Sequence, residues 1–186
     1  MGESSKASEV SPPALGFLTV IENEQLGLVG GYLILNASGR PQEFHCTAPV
    51  KPSRAQQILF GPTLAPYLYG EQIAQALVNK GTLTPLVVWT DQPSVLAVRE
   101  FVTLPVALVA FQDNAIDEAR RHFDAIEEFT VGKSRIVLNR NHAEDRAKIE
   151  DRMQTLGSFD LREPFDRIRE AVEEAQRAAA GNRQAA

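Results

Sequence analysis

Asp91 and Asp113 stand just after two stretches that read as buried strands, Leu86 to Trp89 and Pro105 to Phe111. If those strands are parallel neighbours, both carboxylates reach the same carboxyl edge of a sheet, where open α/β sheets bind ligands. Glu22, just past a first strand over Gly16 to Ile21, joins them under the element order set out below. Convergent carboxylates are what magnesium-assisted phosphodiester cleavage requires. Magnesium is therefore the single cofactor the chain calls for, and only under this reading; no other cofactor and no other metal site is indicated. The same residues also have an ordinary explanation, which the sequence favours. Thr90-Asp91-Gln92-Pro93 is a natural turn into a helix, and carboxylates at such positions cap helices and close turns.

A second cluster is Lys51, Ser53 and Arg54. Ser53 followed by Gln56 has capping-box spacing, so a short helix should begin here and run to Phe60, before Gly61-Pro62. Its first N–H groups, two cations and a hydroxyl could take an anion or an acidic peptide. The simpler account leaves Ser53 as a cap and both cations in water, because no glycine-rich phosphate loop accompanies them. Gly27, Gly30 and Gly31 lack both dinucleotide and Walker spacing; close backbone packing or a bulge in a strand suits them better. His45 and Cys46 are adjacent on an extended segment and point to opposite faces, so they cannot act as base and nucleophile for each other. Cys46 reads as a small buried apolar residue and His45 as a surface group. His142 with Asp145 reads as a solvated face, and His122 as a helix-boundary residue.

The 186 residues are 44% hydrophobic, enough for one sizeable core, with no run of apolar residues long enough to span a bilayer. One cysteine excludes an internal disulfide and a multi-cysteine zinc site. A reducing, cytoplasmic setting is expected, with no membrane association. A net charge of −5 gives no general field for polyanions, so nucleic acid is not an expected partner. Charge is concentrated late: residues 1–111 hold 6 Lys and Arg with 8 Asp and Glu, against 13 and 16 in residues 112–186. The first part reads as core and the second as helical and solvated.

Strands are expected over Gly16 to Ile21, Leu28 to Leu35 and Gln42 to Val50, antiparallel because their links are short and rich in turn residues. A helix should follow from about Leu64 to Lys80, burying Tyr69, Ile73, Ala76 and Leu77. After the strand at Leu86 come a short helix over Pro93 to Phe101 and the strand at Pro105. The stripe Ile116, Ala119, Phe123, Ile126 implies another helix, Arg135 to Leu138 a short edge strand, and His142 to Leu156 a polar helix. A final helix near Asp160 to Ala178 lines Leu161, Phe165, Ile168 and Val172 on one side. These limits divide the chain into a tail over 1–14, an α/β domain over 15–157, a helix over 158–178 and a second tail over 179–186.

The order of elements, three antiparallel strands and then helix, strand, helix, strand, helix, resembles that of ribonuclease-H-like domains. A smaller longin- or roadblock-like α+β arrangement is the competing expectation. The resemblance implies a metal-dependent nuclease-like phosphodiesterase using Glu22, Asp91 and Asp113, but such nucleases carry an aspartate inside the first strand. Phe17-Leu18-Thr19-Val20-Ile21 has none. Over about residues 16–110, Gly39-Arg40-Pro41, Glu43-Phe44-His45-Cys46-Thr47 and Phe60-Gly61-Pro62-Thr63 also resemble a recurrent bacterial family with no assigned activity. With no complete catalytic constellation, the leading expectation is a non-catalytic interaction or scaffold domain. Its face would be Leu161, Phe165, Ile168 and Val172, docked on the body, a second copy or another protein. The nuclease-like enzyme is the first alternative and a small anion-binding regulator at Lys51, Ser53 and Arg54 the second.

Overall fold

The computed structural model describes residues 13–157 and 159–184. Strand β1 (Ala14–Asn23) turns into β2 (Gly27–Asn36), and β2 into β3 (Pro41–Cys46). Asparagine organises both turns. Asn23 Oδ1 accepts from the backbone N–H of Leu26 at 2.8 Å, and Asn36 Oδ1 from that of Arg40 at 3.0 Å. Helix α1 (Arg54–Phe60) has both hydrogen bonds of the capping box between Ser53 and Gln56. A helical stretch then runs through α2 (Leu64–Pro66), a π-helical segment (Tyr67–Ala74) and α3 (Gln75–Lys80). Next come β4 (Val88–Thr90), a 3₁₀ segment (Pro93–Glu100), β5 (Val106–Ala110) and α4 (Asp113–His122). The chain finishes with β6 (Ile126–Val131), β7 (Ser134–Asn139), α5 (Glu144–Leu156) and α6 (Glu163–Gln184).

The sheet order is β3-β2-β1-β4-β5-β7-β6. Strands β1, β2 and β3 are antiparallel neighbours, β4 is parallel to both β1 and β5, and the β6–β7 hairpin pairs antiparallel with β5. The first five strands take the ribonuclease-H-like order, which the hairpin extends; the longin- or roadblock-like arrangement is not adopted. Alternation along β1 feeds two cores. Leu18 and Val20 pack with Ile73, Leu77, Val95 and Val98 on one face; Leu15 and Phe17 pack with Trp89, Ile149, Phe165 and Ile168 on the other. Helices cover both faces, giving three layers.

Gly30 and Gly31 in β2 mark where these layers come closest. A Cβ on Gly30 would lie 2.2 Å from Ile73 Cγ2, and one on Gly31 would lie 2.3 Å from Ile168 Cγ2 on the opposite face.

Three local expectations are corrected. Phe123 and Ile126 leave the helix: α4 ends at His122, Phe123 is extended at φ −127° and ψ 137°, and Ile126 opens β6. Strand β7, expected at an edge, lies between β5 and β6. In the helical stretch Ala74 is buried and Ala76 exposed, because the π-helical turns lengthen the repeat and rotate the buried face. Of the tail expected over 1–14, residues 1–12 lie outside the described residues and Ala14 already opens β1; of that expected over 179–186, the last two residues lie outside them and α6 continues to Gln184.

Candidate functional site

Parallel β1 and β4 deliver their last residues to one side of the sheet, and Gln92 locks that edge. Its Oε1 accepts from the backbone N–H of Val20 at 2.6 Å and its Nε2 donates to the Val20 carbonyl at 2.7 Å, one more rung between the strands. Asp91 is thereby fixed at the rim of a cleft of about 500 Å³, which Glu22 also lines. Tyr69, from the π-helical segment, donates its hydroxyl hydrogen bond to Glu22; burial, with this carboxylate beside it, pushes the phenol well above its ordinary range. The facing wall comes from α6 and the residues before it. Arg162 stacks its guanidinium 4.3 Å from the centroid of the Phe111 ring, and Arg169 pairs with Asp91 while donating to Asp166 at 3.2 Å.

Asp91 is the unusual member. Its side chain is 6% exposed, Oδ2 is held by Arg169, and Oδ1 is buried with no hydrogen-bond partner among the described residues. An unpaired buried polar atom costs roughly 1–3 kcal/mol, so this oxygen is under-satisfied where it borders the cleft.

Asp113 is not brought here. It opens α4, its side chain is 89% exposed, and it accepts from Arg135 of β7 at 2.7 Å. Among the described residues no three His, Cys, Asp or Glu side chains converge closely enough to hold a metal ion. The carboxylates of the cleft are also engaged, Asp91 and Asp166 by one guanidinium and Glu22 by a phenol. The residues present therefore do not fit the preassembled magnesium centre that the three-carboxylate reading requires.

The other candidates are taken up locally. Lys51 donates to the Gln25 carbonyl, Ser53 Oγ accepts from the Gln56 N–H at 3.1 Å, and Arg54 donates to Gln57 Oε1 at 3.3 Å. Leu161, Phe165, Ile168 and Val172 are 3%, 1%, 0% and 1% exposed, packed in the core beneath α6. That face docks on the body, one of the dockings expected for it, and so is not open to a second copy or another protein.

Residue spacing did not reveal a further group beside the cleft. Ser94, near the start of the 3₁₀ segment and 2% exposed, and Glu118 of α4 both contribute to its wall. Behind them, His122 Nε2 lies 3.2 Å from Ser94 Oγ and 3.4 Å from Glu118 Oε1. Glu118 and His122 are four apart on a helix, which was visible; Ser94 joins them only through the fold.

No protein-family model matches this chain, and no curated protein does. The solved structures offer a fold likeness. Endonuclease V of Ciona intestinalis, in complex with a 23mer DNA containing an inosine followed by a ribo-adenosine, is similar to this chain with a TM-score of 0.39 and 13% identity. The likeness covers 73% of this chain and 76% of that one. No helix among the described residues is long and apolar enough to cross a membrane.

Proposed function

We propose that this chain is a nuclease-like domain that takes a nucleic-acid strand in the cleft at the carboxyl edge of β1 and β4 and acts on its phosphodiester. The observation that carries the reading is Asp91, a carboxylate held at that edge with one oxygen buried and unpartnered beside two arginines. A phosphate entering the cleft competes with Asp91 and Asp166 for Arg169 and meets Arg162, and guanidinium groups suit phosphate in geometry and charge. Displacement of Arg169 releases Asp91, which with Glu22 orients the strand and the water that ends the reaction. This replaces the non-catalytic interaction or scaffold domain with nucleic acid set aside. Against that reading stand the buried α6 face and the likeness to an endonuclease solved with DNA.

The test is anisotropy of fluorescently labelled single-stranded RNA and DNA oligonucleotides, with cleavage followed on gels with and without added magnesium. Binding should weaken steeply as salt rises and fall at least about tenfold when Arg162 and Arg169 are both replaced by Ala. Affinity indifferent to that double substitution would remove the cleft from consideration.

A further inference from the structure

We infer that Ser94 is a nucleophile activated by His122, with Glu118 as the counter-charge, and that the cleft forms a covalent phosphoseryl intermediate. The inference rests on the proposal that the cleft takes a phosphodiester, and it names the attacking group that the cleft's carboxylates do not supply. A serine hydroxyl within hydrogen-bond reach of an imidazole, next to a carboxylate and bordering a cleft, is the arrangement that activates a weak nucleophile. Here the contacts are 3.2 Å and 3.4 Å, and both fall on Nε2.

Sharing one nitrogen sets this group apart from a triad, in which the acid orients the imidazole through Nδ1. It gives the group two alternating states. With Nε2 unprotonated, its lone pair accepts from the Ser94 hydroxyl. Once Nε2 has taken that proton it donates to Glu118 Oε1, and the new imidazolium is paired at the atom where the proton arrived. His122 is shielded for this work, its side chain 15% exposed against 42% for Glu118.

The chemistry balances without a co-reactant. Ser94 Oγ forms a bond to phosphorus, its proton passes to His122 Nε2, and the bond from phosphorus to the leaving oxygen breaks with its electron pair going to that oxygen. In the second half water attacks phosphorus, the bond from Oγ breaks, His122 returns its proton to Oγ, and the proton of the water leaves to solvent.

The probe is bis(4-nitrophenyl) phosphate, an activated phosphodiester whose leaving group is seen by absorbance. Mixing it with the full chain should release a burst of nitrophenolate stoichiometric with protein, and mass spectrometry should place the adduct on the peptide containing Ser94. Ser94→Ala should abolish burst and adduct, and His122→Asn should slow the burst at least about a hundredfold. Glu118→Gln, an isosteric change at a half-buried side chain, should slow it about tenfold without changing its dependence on probe concentration. Oligonucleotide affinity is measured on the same samples. Binding with no burst, or a burst that survives Ser94→Ala, overturns the serine nucleophile and leaves the cleft reading standing. A burst lost in Ser94→Ala with affinity retained supports it, and absence of both burst and binding overturns both proposals.

Discussion

Asp91 and Asp145 are the same chemical group under nearly the same cover, yet the structure treats them oppositely. Asp145, in the first turn of α5, is fully buried and saturated: Arg99 donates to Oδ2 at 2.6 Å and to Oδ1 at 3.3 Å, and Lys148 donates to Oδ1 at 2.9 Å. Arg99 also donates to the Val102 carbonyl at 2.8 Å, so one guanidinium ties the 3₁₀ segment, the loop after it and α5 together. Burial alone would raise the Asp145 carboxyl, but hydrogen bonds from Arg99 and Lys148 bring it below the ordinary range. Asp91 has one arginine and one empty oxygen. The difference teaches that burial of a charge does not mark a site. Saturated, it is a rivet; under-satisfied at a cleft, it is the group on which the proposed function turns.

The harshest way to break this comparison is Arg99→Met, which leaves the Asp145 charge in the core with Lys148 alone. It should cost about 3–5 kcal/mol in denaturant unfolding at neutral pH, as removal of one partner of a buried pair does. A loss below about 1 kcal/mol would show that Asp145 needs no rivet. Asp91→Asn should act the other way round, changing stability by no more than about 1 kcal/mol because Arg169 is partly solvated, while abolishing turnover of a bound oligonucleotide. A stability loss as large as that of Arg99→Met would make Asp91 a second structural pair and collapse the distinction.

The smallest effect concerns a third carboxylate, Glu43 on β3. It accepts from the backbone N–H groups of Thr82 and Leu83, each at 2.9 Å, and from the Thr82 hydroxyl, with His45 Nε2 at 3.0 Å. The Thr82 and His45 side chains foremost hold its carboxyl down at about 2, against an ordinary 4.5. A carboxylate depressed by folding contributes stability that is complete above its unfolded pKa and lost as pH falls toward the folded one. Glu43 therefore helps in full above about pH 4.5 and fades toward about pH 2. Between about pH 6 and pH 3 the melting temperature of Glu43→Gln should fall less than that of the parent. Equal falls would assign the acid sensitivity to Asp145 and its neighbours.

The sequence was most informative where structure is local. The turn after β2, the Ser53–Gln56 capping box and the close packing at Gly30 and Gly31 all follow from residue types and spacings within a few positions. Strand β6 was obscured because Ile116, Ala119, Phe123 and Ile126 fit a helical repeat although the helix stops before Phe123. The strand is revealed by its pairing with β7, which sets Phe129 opposite Ile136. At the site, Glu22 and Asp91 were legible as strand-end carboxylates. The Ser94 to His122 contact and the Arg99 to Asp145 pair join residues 28 and 46 apart, and no periodicity within one element encodes such meetings.

The placement of β4 bears on the order in which the molecule assembles. Strands β1, β2 and β3 close through short turns, as do β6 and β7, so each group can form by local zipping. Strand β4 has only the three residues Val88–Thr90 and must find β1 across residues 24–87 before that pairing offsets the entropy of closing so long a loop. The Gln92 clasp on Val20, and with it the position of Asp91, therefore belongs to the late part of folding. A strand bound there as proposed would have nothing to hold in the transition state, so it should slow unfolding and leave the rate of refolding unchanged.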